Sequence, residues 1–211
     1  ASEDTSFTQG VTAFGSSSFN IGTHSQVNSS SDTYVGYAIG ANDGTTAANS
    51  VGDTASVTQV DPSGAFSIVT YTGFAGASGT STVGHGLSTA PSMIIHKSRT
   101  RSSGWWTTFP GLLTSQSYFL NMENDNAQTD LSSYGTISAP TASVFTINGV
   151  DGIGGESANY VAYCFANVEG YCKVGSYDGN ANDDGTFVYT GGLRPSFFLC
   201  KPLVAGNWRI Q

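Results

Sequence analysis

Tyr160-Val161-Ala162-Tyr163-Cys164-Phe165 and Tyr34-Val35-Gly36-Tyr37-Ala38-Ile39 are two versions of one phrase, and they decide the fold. Successive side chains of a strand point to opposite faces. One face of the first phrase carries Val161, Tyr163 and Phe165, and the matching face of the second carries Val35, Tyr37 and Ile39. The other face is small in both, with Ala162, Cys164 and Ala166 against Gly36, Ala38 and Gly40. The large face is expected to fill a core, and the small face to admit another layer close above it. Two facing sheets meet both needs, so the phrase predicts a β-sandwich.

Outward from this strand the likeness continues. Ala13, Ser17, Phe19, Ile21, Tyr34, Val35 and Tyr37 recur as Ala139, Ser143, Phe145, Ile147, Tyr160, Val161 and Tyr163, at a constant offset of 126 residues. Tyr71 and Gly73 match Tyr177 and Gly179 at an offset of 106, and Pro91-Ser92 and Lys97 match Pro195-Ser196 and Lys201 at 104. Agreement at a fixed spacing is the signature of an internal repeat. The reading that follows has a complete module within residues 46–170, its strands running from Phe66 to Ala166. A second, discontinuous module comes from residues 1–45 plus 171–211, or its halves are completed by neighbouring repeats or chains.

Further strand signals fit the same class. Phe66 to Tyr71 and Ser92 to Lys97 are β-branched or aromatic runs bounded by turn formers. No window keeps apolar residues at helical spacing between proper caps, and Glu123 to Leu131 reads as a polar loop. The expected fold is all-β, an antiparallel β-sandwich of jelly-roll or concanavalin-like type, internally repeated.

Composition narrows the function. The 211 residues contain 27 Gly and only 10% charged residues, yet also 12 Phe, 10 Tyr and 3 Trp, so the chain has the apolar content to fold. A net charge of −8 offers no basic surface for phosphates, which speaks against nucleic acid. No apolar run approaches the roughly 20 residues of a spanning helix, which speaks against membrane insertion by that route. Cys164, Cys172 and Cys200 lack metal-ligand spacing and read as small buried hydrophobes, with a disulfide as the alternative.

Catalytic patterns are near-misses. Glu123-Asn124-Asp125-Asn126-Ala127-Gln128 resembles the E-x-D-x-x-E strand of β-sandwich glucanases, but Gln128 stands where the acid/base would be and cannot cycle a proton. His24, His85 and His96 match Val150, Gly191 and Cys200 in the repeat, so none recurs. No catalytic residue and no obligatory cofactor is expected. Asp178, Asn180, Asn182 and Asp184 alternate as Ca²⁺ ligands do, though Asp183 replaces the usual Gly and Tyr189 the closing Glu. An ordinary Asn/Asp/Gly turn is the competing reading. Trp105 and Trp106 are adjacent, so on a strand one faces inward and the other outward, where it would serve as a ligand or interface aromatic. Trp208 holds the matching place in the second copy.

Several phrases together resemble a known family. Phe66 to Gly73, Val83-Gly84-His85-Gly86-Leu87, Ala139 to Thr146, Tyr160 to Ala166 and Gly170 to Tyr177 resemble the tandem β-rich repeat of virion structural and tail-fibre proteins of tailed bacteriophages of marine bacteria. The loop Gln116 to Tyr134 departs from that pattern in being more acidic. The resemblance implies a concanavalin-like, non-enzymatic particle component, assembled in the bacterial cytoplasm and located in the virion. Its partners would be other virion proteins or copies of itself in a homo-oligomer. A lectin-like module that contacts host-surface glycans is the alternative.

Overall fold

The computed structural model describes residues 9–102, 105–108 and 110–211, without the side chain of Trp105. The first eight residues of the 1–45 segment thus lie outside the described residues. Strands β1 (Val11–Phe14) and β2 (Phe19–Ile21) pair as an antiparallel hairpin. Then come β3 (Ala47–Asn49), β4 (Ser56–Val60), β5 (Phe66–Thr72), β6 (Thr80–Gly84), β7 (Met93–Ser98) and β8 (Trp105–Thr108). They are followed by β9 (Tyr118–Asn121), β10 (Thr129–Asp130), β11 (Val144–Asn148) and β12 (Asn159–Phe165). A last pair is β13 (Leu199–Cys200) with β14 (Arg209–Ile210). Among the described residues, α-helix is confined to the single turn Ser25–Asn28. The protein is all-β.

Eight strands form one antiparallel sheet in the order β10-β9-β8-β7-β12-β5-β4-β3, and β11-β6 is a separate two-stranded ladder. The opening phrase is the sheet's middle. Along β12, Ala162 lies between Val69 of β5 and His96 of β7, and Tyr163 between Ile68 and Ile95. A strand paired on both edges and covered on both faces suits this nearly unbroken apolar run.

The core lies on the small face, which corrects the expectation drawn from side-chain size. Tyr160, Ala162, Cys164 and Ala166 are fully buried, while Tyr163 and Phe165 on the large face are only half-buried. The reason lies in the neighbours. Tyr71 of β5 and His96 of β7 extend across β12, and the Tyr71 hydroxyl comes within 3.3 Å of His96 Nδ1. Phe145 of β11 stands edge-on to both rings, with centroids 5.9 Å from Tyr71 and 5.5 Å from His96. Large side chains at Ala162 and Cys164 would collide with this group. On the opposite face Phe66 packs against Phe165 and Tyr163 at 4.8 and 6.4 Å.

Ile147 and Val83 complete the covering ladder, and both are fully buried. Asn148, also buried, donates to Leu131 O at 3.1 Å and Gly135 O at 3.0 Å, which ties the 131–135 loop to β11. Gly86 makes the turn after β6 with φ +75°, and a Cβ there would lie 2.7 Å from Val60. Both its backbone and its space require glycine.

The two copies of the phrase differ in structure. Residues 160–165 sit in β12, whereas no strand forms over residues 33–40. Core position decides what truncation costs. Phe145→Ala is expected to lose roughly 3–5 kcal/mol in urea unfolding, the range for buried aromatics. Tyr163→Ala should lose clearly less, and equal losses would show that the large face is the true core.

Candidate interaction surface

Exposure is distributed unevenly along the chain. Among the described residues, eighteen of the twenty-one exposed large apolar side chains lie before residue 46 or after residue 170. Phe187 is 89% exposed, Phe14 85%, Val35 78% and Tyr189 73%. Lone exposed apolar residues are ordinary, but so many within two chain segments make those segments the candidate interaction surface. Three sites on the 46–170 segment complete the twenty-one: Val51, Val57 and Tyr134.

The C-terminal segment is held on the 121–128 loop by hydrogen bonds to that loop's backbone. Lys201 Nζ donates to Asn126 O at 2.9 Å, and within its own segment to Pro202 O at 3.2 Å and Val204 O at 3.3 Å. Gly206 N donates to Asp125 O at 2.7 Å, Gln128 N to Leu203 O at 3.0 Å, and Trp208 Nε1 to Asn121 O at 2.7 Å. The repeat had singled out Lys201 and Trp208 by position. It could not show that they clamp the 121–128 loop, since the carbonyls they grip belong to backbone.

The residues proposed from sequence fall into separate places. Trp106 packs against the core, its ring edge-on to Phe119 at 6.3 Å. Trp105 precedes it in β8, and the Trp105 side chain lies outside the described residues. Gln128 is clipped to Thr114, donating to its Oγ1 at 2.7 Å and accepting from its N at 3.1 Å. Glu123 is exposed on the same loop.

Asp178, Asn180, Asn182 and Asp184 lie on an exposed turn. Asn180 Oδ1 accepts from Asn182 N at 3.1 Å, Asn182 Oδ1 from Asp184 N at 3.2 Å, and Asn180 donates to Gly185 O at 2.6 Å. Two of the four candidate oxygens therefore already organise the turn. Among the described residues, no group of three or more His, Cys, Asp or Glu is placed to hold a metal ion.

The histidines differ in setting. His24 caps the short helix, its Nδ1 accepting from Gln26 N at 3.2 Å. His85 is buried between the sheets and accepts from Leu87 N at 3.1 Å. His96 is buried beside Tyr71 and Phe145, and burial pushes its pKa down to about 3. The three cysteines are unpaired. Cys164 is buried, and burial pushes its thiol up to about 12. Cys172 and Cys200 are half-buried, short of the full burial expected of them.

The geometry defines an all-β domain with a large antiparallel sheet, a buried core between that sheet and the β11-β6 ladder, and many exposed apolar side chains in its first and last segments. The chain belongs to the domain family of unknown function DUF7483, whose model matches residues 1–211. No curated protein and no solved structure matches it.

His96 has a measurable consequence. Its folded pKa of about 3 lies below the ordinary 6.5, so the unfolded chain binds the proton more readily. Stability from the neutral ring is complete above pH 6.5 and is lost as pH falls from there towards 3. Between pH 7.5 and 5.5, unfolding free energy should fall by about 1.4 kcal/mol from this group. The pKa of His85 is also lowered by burial and adds in the same direction. Urea titrations at the two pH values should show the fall, and His96→Cys, the residue at the matching repeat position, should reduce it. An undiminished fall in that variant would assign it elsewhere.

Proposed function

We propose that this chain is a non-enzymatic structural protein of a tailed-bacteriophage virion, a fibre, tail or capsid-decoration subunit that acts through protein–protein assembly. The observation that carries the reading is the eighteen-residue apolar set outside the 46–170 segment. An apolar surface of that extent suits a subunit whose working state is an assembly. The resemblance of several of its phrases to the phage repeat is what suggests the virion context. The low charge fraction and the net charge of −8 fit a protein partner better than a nucleic acid.

Hydrolysis of sugars is disfavoured by the chemistry of one position. Gln128 replaces the acid/base carboxyl and spends its amide on Thr114. The lectin-like reading is kept second; Trp106, turned into the core, is not its sugar platform.

Two measurements test the proposal. Gold-labelled antibody against the chain should decorate intact particles of the phage that encodes it in electron micrographs. Particles without label would remove the virion reading. Incubation with diverse polysaccharides should release no reducing ends, and turnover abolished by Glu123→Gln would establish an enzyme instead.

A further inference from the structure

We propose that the flank formed by residues 9–45 and 171–211 is a homotypic interface, in which residues 33–39 of one copy enter as a strand between residues 172–178 and 197–202 of a second copy. The proposal deepens the assembly reading by naming the partner, and it rests on that reading in taking the apolar flank for a protein interface.

The repeat offsets specify the register. They carry β12 onto residues 33–39, β5 onto 172–178 and β7 onto 197–202. Tyr163 faces Ile68 and Ile95, so Tyr37 would face Val174 and Leu199. Ala162 faces Val69 and His96, so Gly36 would face Gly175 and Cys200. On the large face the apolar character is kept, since Tyr37 would meet Val174 and Leu199 where Tyr163 meets Ile68 and Ile95, while on the small face Gly175 and Cys200 replace the larger Val69 and His96.

Both halves of this joint are already shaped for it. Phe19, which matches Phe145, brings Cζ within 3.9 Å of where a Cβ on Gly36 would be. The Tyr34 hydroxyl donates to Ser25 O at 2.8 Å and accepts from Ser29 N at 2.9 Å. Its counterpart Tyr160 donates to Gly155 O at 2.6 Å, and Gly155 occupies the repeat position of Ser29. The Tyr177 hydroxyl lies against the Cys200 thiol, as that of Tyr71 lies against His96. Within one chain the halves meet where Tyr37 stands edge-on to Phe197, with centroids 5.1 Å apart. There the association stops: residues 33–40 form no strand, and Tyr37 remains 63% exposed.

The accessible surface leaves room for a stable interface. A compact monomer of 21.8 kDa has about 9,300 Å² of accessible surface, whereas this chain has 12,049 Å². The excess of about 2,800 Å² is on the order of the 1,000–2,500 Å² that each partner buries in an obligate complex. Each copy carries both the donor strand and the acceptor cleft. Exchange therefore joins copies head to tail, by strand addition, into a ring or a filament.

Gly36→Cys tests the register and the partner together. In the proposed register residue 36 directly faces Cys200, and opposed residues lie about 4.5–5.5 Å apart, within disulfide reach. The added Cβ meets only Phe19 at 3.9 Å, an ordinary contact. After mild oxidation of the full chain, non-reducing gels should show dimers and higher species, with peptide mass mapping placing the linkage between residues 36 and 200. Adding Cys200→Ser should abolish them. A 36–200 linkage found only within monomers would overturn the proposal in favour of closure inside one chain. No such linkage in a folded variant would overturn the register. Light scattering of the unsubstituted chain is an independent check, and a strict monomer at every concentration would also overturn it. Unlabelled virus particles, by contrast, would sink the virion reading and leave this interface standing.

Discussion

Three rings meeting above an alanine organise the described structure. Tyr71 and His96 come from the strands on either side of β12, and Phe145 descends on them from the covering ladder. Tyr71 also donates to Ile153 O at 2.5 Å, which anchors the loop before β12 to the same point. Because the group spans three strands of one sheet and a strand of the other layer, it sets the register and the separation of the layers together. His96 serves here as a shaped, neutral ring, and its burial makes ionisation costly. The small residues of β12 are the necessary complement, since interiors pack without room for a second set of large side chains.

This arrangement explains what could be read in the chain and what could not. Alternation within Tyr160 to Phe165 was enough to identify a strand with one large and one small face. It could not say which face the core would choose, because the deciding side chains stand on β5 and β7, about 65 to 95 residues upstream. Size within one strand was the wrong guide; the volume contributed by cross-strand neighbours was the right one. The candidate chemistry shows the same division. The loss of an acid/base at Gln128 is visible in one letter, while its clip to Thr114 needs a contact 14 residues away in the chain. The grip of Lys201 and Trp208 on backbone carbonyls leaves no compositional trace at all.

The segments flanking the complete module have the same apolar alphabet but another outcome. Tyr189 matches Val83 in the repeat, yet Val83 is fully buried and Tyr189 is 73% exposed. Gly192 keeps the positive φ of Gly86, +83° against +75°, so the local turn chemistry is retained even where the strand before it is unpaired. Local instructions are thus present in both copies. What differs is the long-range pairing that converts them into buried surface, and strands depend on such pairing far more than on propensity.

Edge design separates the two regions in a way that bears on function. The eight-stranded sheet ends in β3, three residues long, and β10, two residues long. Very short edge strands are a recognised means of preventing edge-to-edge association. The complete module is therefore protected against growth at its own edges. Residues 33–39 and 186–190 carry no such protection: they contain Tyr34, Val35, Tyr37, Ile39, Phe187, Val188 and Tyr189, all exposed, without Pro, Lys or Arg among them. A protein that blunts one pair of edges and leaves another apolar and open confines association to one place. Specific assembly needs that confinement, because an equally open second edge would permit disordered growth. The contrast between the blunted sheet and the open flank is thus itself an argument for placing the proposed interface on the flank and not on the large sheet.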